Sequence, residues 1–170
     1  MQATKDTFFR ALQSRLAVVN PARTITVDGV TRPAILVVEN EAYPPPKLFF
    51  NTFYIHWLGG PAVRQFARTL TPRYALLAQL EYFVQGTPAL QRPFADRGRI
   101  TAQMDGELIE ILFPGIAEKT DYSGASPQPL GCSVHWQWTP DFRSAAERDG
   151  SLLKRAATVN VSSYLKDIPN

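Results

Sequence analysis

The chain has 170 residues, a length that fits one domain and can bury roughly 70% of the surface of its unfolded form without help from a disulfide or a metal. Apolar residues make up 45% and charged residues 19%, which places the chain among globular rather than disordered proteins. The net charge is +3, but the arginines are spread along the chain instead of clustered, which argues against a specific nucleic-acid partner.

The first 20 residues predict an amphipathic helix. Thr4 or Asp6 is expected to cap it, and the helix is expected to end before Pro21, because proline disfavours helical backbone in the residue preceding it. Its apolar stripe consists of Phe8, Leu12 and Leu16. This stretch lacks the apolar region of a secretory signal, and no apolar run approaches the ~20 residues needed to span a bilayer. We therefore expect no membrane partner and a cytoplasm-like place of synthesis.

Alternating and apolar segments after this helix predict strands. Residues 24–38 form a hairpin around Asp28-Gly29, the residue pair that suits a type I′ turn. Two long strands follow, at residues 47–58 and 73–85, and an insert at residues 59–72 joins them. A connection of this kind indicates that the two strands pair in the antiparallel direction.

The second half of the chain predicts one more helix and two more strands. Asp96 is expected to cap a helix that ends before Pro114, and Gly106 within it indicates a close approach of the helix to the sheet. Residues 115–131 are polar and contain proline, which predicts a long loop. The two strands are expected at residues 132–138 and 154–165.

Together these elements predict an α+β fold, with a mainly antiparallel sheet and two principal helices packed on one face. One domain over residues 1–170 is the simplest account, because no repeat and no linker is visible. In this interpretation the insert and the long loop extend from the domain.

No motif predicts an enzyme. The glycines lack the spacing of nucleotide-binding loops, and no nucleophile elbow is present. His56 and His135 lie in predicted strands, and the single Cys132 has the strand parity opposite to that of His135, which argues against a metal site or a Cys/His nucleophile. Glu107 and Glu110 lie opposite the apolar stripe of their helix, so we expect both to be solvated. We therefore predict no catalytic, cofactor-binding or metal-binding residues and no cofactor.

Aromatic side chains on both faces of the strands predict contacts with other chains. The two helices cover only one face, so the insert, the long loop or another chain must cover the remaining apolar surface, because monomers rarely expose large apolar patches. The aromatic residues expected to contact another subunit or partner are Phe49, Phe53, Tyr54, Trp57, Trp136 and Trp138. The alternative is that the aromatic strand surface binds a small ligand or the bases of a nucleic acid.

The order of elements resembles that of the tail-terminator and neck proteins of tailed bacteriophages. The resemblance rests on the first helix, the hairpin leading into the apolar strand at residues 32–38, the antiparallel pair, the second helix and the final strand. It implies a non-enzymatic structural protein of the virion whose copies form a ring, typically a hexamer. Such a ring closes the tail tube and joins it to the head, with tail-tube and neck proteins as partners. The insert at residues 59–72 and the loop at 115–131 exceed what the compact version of this fold requires, so the position in the neck stays open.

Overall fold

The computed structural model describes residues 1–41, 48–58, 74–87, 95–138, 143–146 and 152–165. Within them the helices are α1 (Gln2–Val19), α2 (Val38–Glu41) and α3 (Arg97–Leu112). The strands of the first half are β1 (Thr24–Val27), β2 (Val30–Pro33), β3 (Ile35–Val37), β4 (Phe53–Leu58) and β5 (Tyr74–Gln85). Those of the second half are β6 (Gly115–Asp121), β7 (Gln128–Trp138), β8 (Arg143–Ala146) and β9 (Leu152–Leu165). None of these helices is both long enough and apolar enough to cross a membrane.

The main sheet has the strand order β3-β4-β5-β9-β7-β6, and β8 pairs with the first part of β9. All pairings in it are antiparallel except that of β3 with β4, which is parallel. Strands β1 and β2 form a separate antiparallel hairpin. The predicted α+β fold with a mainly antiparallel sheet is therefore confirmed, and so is the antiparallel pairing of the strands on either side of residues 59–72.

Helices α1 and α3 pack on one face of the main sheet and enclose the larger core with it. The alternation of β5 explains this arrangement, because every second side chain points toward the helices. The largest buried side chains of this core include Phe8, Leu12, Leu16, Phe53, Leu80, Tyr82, Met104 and Leu108. The prediction that both principal helices cover one face is confirmed.

A second, smaller apolar cluster lies on the opposite face, at the β3-β4-β5 end of the sheet. Leu36 and Tyr54 alternate with the residues of the main core, so their side chains point away from the helices. Ile25 of the β1-β2 hairpin packs against them, so the hairpin supplies part of the cover for this end of the sheet. Most of the opposite face toward β7 carries polar side chains instead.

The ends of α1 agree with the sequence only in part. The helix ends at Val19 as predicted, but it begins at Gln2, so Thr4 and Asp6 lie inside it and the predicted cap is wrong. The physical reason is that the carbonyl of Met1 already accepts hydrogen bonds from the backbone N–H groups of Thr4 (3.0 Å) and Lys5 (3.3 Å). The helical hydrogen bonds thus begin before either predicted cap residue.

The turn between β1 and β2 has the backbone that the sequence predicts. Asp28 and Gly29 have φ angles of 51° and 79°, the positive values that a type I′ turn requires at both central residues. The register places Val27 opposite Val30, so the loop contains only these two residues. Gly29 allows this conformation at no steric cost.

Three other predicted elements differ from the structure. Residues 115–131 contain β6 and the start of β7, so most of this segment is an antiparallel hairpin and not a long loop. Contacts distant in sequence stabilise it, because the N–H of Thr120 donates to Thr7 Oγ1 of α1 at 3.1 Å. The strand expected at 47–58 begins only at Phe53, and Gly106 is exposed instead of close to the sheet. The insert at residues 59–72 lies outside the described residues.

Candidate functional site: interaction surfaces

Three of the six aromatic residues predicted to contact other chains lie in the interior of this one. Phe53, Tyr54 and Trp136 are only 0%, 1% and 3% exposed. Each packs edge-on against another ring of the same chain at a centroid distance of 5.6–5.9 Å. These ring partners are, in the same order, Tyr82, Phe83 and Phe8. A buried side chain has almost no area left for a partner, so these three residues stabilise the fold of the single chain.

The other three predicted contact residues are half-buried. The backbone N–H of Phe49 donates to the hydroxyl of Tyr54 at 2.9 Å. Trp57 packs against the main core, and the ammonium group of Lys5 lies 5.2 Å from its ring centroid. Trp138 packs at the edge of the same core. Their partial exposure leaves room for a partner, and that role stays a prediction.

The most exposed apolar side chains near the helices lie where α1 and α3 end. Val18 is 81% exposed and Phe113 is 66% exposed. Together they line a depression of about 490 Å³ that we call the helix-end groove. Its lining residues are Ser14, Arg15, Val18, Val19, Glu110 and Phe113. The groove presents apolar surface that no described part of the chain covers.

Arg15 fixes the shape of this groove. Its guanidinium group donates to the backbone carbonyls of Ile111 (3.2 Å) and Phe113 (2.7 Å), which the end of α3 leaves without helical partners. The same group lies 4.8 Å from the ring centroid of Trp136 in the core. Arg15 therefore links α1, the end of α3 and β7, so the two walls of the groove are held together.

A second exposed surface lies at the end of the β1-β2 hairpin. Val30 is 63% exposed, and Asp28 is exposed beside it. Val27, Asp28, Val30 and Arg32 line a small cleft there, and we call these four residues the hairpin tip. A hydrogen bond of 2.9 Å between the hydroxyls of Thr26 and Thr31 connects the two strands behind it. The hairpin tip is thus a braced turn with two apolar side chains, of which Val30 is exposed and Val27 is half-buried.

A third surface lies on the sheet face that the helices do not cover, and it combines polar side chains with the exposed Ile116. Side chains of β7 and β9 meet in register there, with His135 opposite Ser162 and Gln137 opposite Asn160. They border a depression of about 460 Å³, which we call the open-face depression. The ring of His135 packs edge-on against Tyr164 at 5.1 Å. The side chain of His135 is exposed.

His56 belongs to a charged cluster on the same face. Its Nε2 lies 2.6 Å from Oε1 of Glu81, and the ammonium group of Lys154 pairs with Oε2 of that carboxylate. Glu81 is 1% exposed. Burial raises the pKa of the Glu81 carboxyl, but the hydrogen bonds and charges of His56 and Lys154 outweigh burial and hold that pKa below its usual range. Sequence reasoning missed this cluster, because only the strand register brings the three side chains together.

The prediction that Glu107 is solvated is wrong. The carboxylate of Glu107 is buried and pairs with the guanidinium group of Arg23. Both Nε and Nη2 of Arg23 donate to it, and the distance from Nη2 to Oε1 is 2.9 Å. Asn20 also donates to it, at 2.6 Å. The turn between α1 and β1 carries both partners over this side of α3, which the helical pattern of α3 alone could not indicate. Glu110, by contrast, is exposed as predicted.

A third polar cluster joins α3 to the sheet. The hydroxyl of the fully buried Tyr82 donates to Asp105 Oδ1 at 2.5 Å, and Arg155 donates to Oδ2 at 2.9 Å. Burial, followed by the Asp105 hydrogen bond and charge, raises the pKa of Tyr82 well above its usual range. The hydroxyl therefore stays protonated at neutral pH and serves as a donor. In all three charged clusters the ion pairs are made within the chain, and their geometry stabilises the fold.

The described residues contain no cluster of three or more His, Cys, Asp or Glu side chains arranged to hold a metal ion. No protein-family model matches the chain, and no curated protein matches it either. Among the described residues, the helix-end groove, the hairpin tip and the open-face depression are three exposed surfaces that a partner or ligand could contact. The first two present apolar side chains, and the third combines hydrogen-bonding groups with the exposed Ile116.

Proposed function

We propose that the chain is a structural protein of a phage-like particle, a tail terminator or neck component. Its copies would form a ring that closes the tail tube and joins it to the head, with tail-tube and neck proteins as partners and the virion as the place of action. The order of elements supports this proposal, since α1, the β1-β2 hairpin, the β4-β5 pair, α3 and β9 follow one another as the resemblance requires.

The observation that carries the proposal is the apolar surface of the helix-end groove. Val18 and Phe113 expose most of their side chains to solvent although the core beneath them is closed. Contiguous exposed apolar surface on a folded chain usually marks a site of association. Assembly would remove this surface from water, and a ring is the closed form that identical contacts between unlike surfaces produce.

Particle size tests the proposal directly. We expect the purified protein to form a defined ring, of six copies if it follows the family, in light scattering coupled to gel filtration and in native mass spectrometry. Electron micrographs of the same sample should show particles with a central opening. A protein that stays monomeric at its highest soluble concentration, and also in the presence of tail tubes, would contradict the proposal.

The open-face depression favours a second candidate, a domain that binds a small polar ligand. His135, Tyr164 and the amides beside them offer hydrogen-bond donors and acceptors. Ligand-induced changes in NMR signals, confined to His135 and Tyr164 and abolished in Tyr164→Ala, would favour this function. Binding of single-stranded nucleic acid would instead weaken steeply as salt is added.

A further inference from the structure

We infer that the hairpin tip of one copy inserts into the helix-end groove of the next copy. This inference rests on the proposed function, because it names the two surfaces through which successive copies of the ring meet. The groove is occupied by a second copy of this chain, and the contacting residues are those that line the groove and the tip.

Exposed apolar side chains point to these two surfaces. Among the described residues, the three most exposed large apolar side chains are Val18, Phe113 and Val30. Two of them line the groove, and the third lies on the hairpin tip. Val30 lies directly after the two-residue turn of the hairpin, so its insertion between Val18 and Phe113 removes all three side chains from water.

The charges of the two surfaces are complementary. The groove carries one guanidinium group and one carboxylate, from Arg15 and Glu110. The hairpin tip also carries one of each, from Arg32 and Asp28. A docked tip can therefore place Asp28 toward Arg15 and Arg32 toward Glu110. Opposite charges at the edge of an apolar contact favour one orientation of the partner over the reverse.

The two surfaces do not meet within one chain. No residue of the hairpin tip lines the groove, and no groove residue lines the cleft at the tip. The four residues of β1 carry the tip roughly 13 Å beyond the start of the hairpin. Because two different surfaces meet, each copy keeps a vacant groove or tip for a further copy. Such a heterologous contact closes into a ring or continues as a helical filament.

Crosslinking of mixed single-cysteine variants tests the contact. Val18→Cys and Val30→Cys are prepared separately in a Cys132→Ser background, mixed, and treated with a short bis-maleimide. We expect covalent dimers in the mixture and far fewer with either variant alone, because the contact pairs groove with tip. As a matched control, Val30→Cys is mixed with Ile116→Cys, whose side chain is 58% exposed but does not line the groove. That mixture should give no more than the background yield of dimers.

A variant that disrupts the contact between tip and groove provides an independent test. Val30→Glu places a charge at the exposed tip and should leave the circular dichroism spectrum unchanged. It should raise the protein concentration at half-assembly at least about tenfold, because the contact would bury an unpaired carboxylate. Leu130→Glu, at a side chain that is 42% exposed and lies outside both surfaces, should leave assembly unchanged.

The outcomes separate the two proposals. A wild-type ring that Val30→Glu leaves intact, and that gives no crosslink between positions 18 and 30, would overturn the inference and leave the proposed function standing. A wild-type chain that stays monomeric would overturn both.

Discussion

Glu81 shows how strongly a single buried charge depends on its neighbours. The strand register brings its carboxylate between His56 and Lys154 on the face that α1 and α3 leave uncovered. A carboxylate that is 1% exposed has lost most of its hydration, so its partners His56 and Lys154 must compensate for that loss. Since the pKa of Glu81 is lowered in the folded chain, folding stabilises its ionised form relative to its protonated form.

The lowered pKa gives a pH dependence with a definite sign. The stabilisation from Glu81 is fully present above the ordinary glutamate pKa of about 4.3, and it is lost as the pH falls through the lower value of the folded chain. Glu81→Gln should reduce the free energy of unfolding by about 2 kcal/mol at pH 7, because a charge-assisted pair becomes a neutral contact. The difference between variant and wild type should shrink below about pH 4. Urea unfolding followed by tryptophan fluorescence at stepped pH values measures both effects.

Glu39→Gln is the matched control for that experiment. Glu39 also binds a lysine, Lys5, at 2.9 Å, but its side chain is 49% exposed. Exposed ion pairs contribute little, because solvent screens them and their side chains lose entropy on pairing. Equal losses in the two variants, or a loss in Glu81→Gln that stays constant down to acidic pH, would show that burial of Glu81 is not the cause.

At the residue scale, strand alternation indicates which face of the sheet a side chain lies on, but distant partners decide whether it is buried there. Tyr82 and Glu81 alternate along β5 and lie on opposite faces of the sheet, yet both are buried. Helical position alone made Glu107 look solvated, because Arg23 comes from a turn 84 residues earlier in the chain. Polar clusters of this kind depend on tertiary proximity, which no local pattern contains.

Two glycines with very different surroundings, one in α3 and one in β6, allow the packing of these elements to be tested. Gly106 lies within α3, and a Cβ atom added there would meet nothing within 4 Å. Gly115 begins β6, and an added Cβ atom would lie 2.5 Å from Cζ2 of Trp136 and would also overlap the guanidinium group of Arg15. Substitution by alanine should therefore change the free energy of unfolding in opposite directions at the two positions.

We expect Gly106→Ala to raise the free energy of unfolding by about 1 kcal/mol, because alanine loses less backbone entropy in a helix. Gly115→Ala should lower it by about 2 kcal/mol, because Trp136 and Arg15 must move from well-packed positions. Urea unfolding midpoints of the two variants, measured beside the wild type, check both signs. A stabilising Gly115→Ala, or a destabilising Gly106→Ala, would contradict the packing described for that position.

At the scale of elements, turn chemistry and periodicity predicted what local sequence controls. Asp28-Gly29 predicted the hairpin turn, and the residues around Pro21 and Asp96 predicted where α1 ends and where α3 begins. Strand β6 was missed because its sequence is polar, and it is held by pairing with β7 and by Thr7 of α1. The parallel pairing of β3 with β4 was missed for a related reason, since strand direction is set by the path of the chain between them.

For the whole molecule, composition and element order predicted the fold class, but they did not predict which apolar residues stay exposed. Aromatic residues on both strand faces suggested an uncovered surface, yet Tyr54 lies in the second cluster, to which the β1-β2 hairpin contributes Ile25. Among the described residues, the three most exposed large apolar side chains are instead at helix ends and at a turn, Val18 and Phe113 in the helix-end groove and Val30 at the hairpin tip. The exposure of a side chain depends on where its helix or strand ends and on what packs beside it. The hydrophobic pattern of the sequence does not specify either of these.

If these surfaces hold copies together, stability must depend on protein concentration. Association that involves only the folded chain stabilises it by mass action, by about 1 kcal/mol for each tenfold rise in concentration once assembly is complete. For a chain of 170 residues this corresponds to a rise of about 3 °C in the midpoint of thermal unfolding. We expect that rise for the wild type and none for Val18→Glu, whose circular dichroism spectrum at low concentration serves as the control for folding. A wild-type midpoint that stays constant over a hundredfold range of concentration would mean that the helix-end groove remains open to solvent in the folded protein.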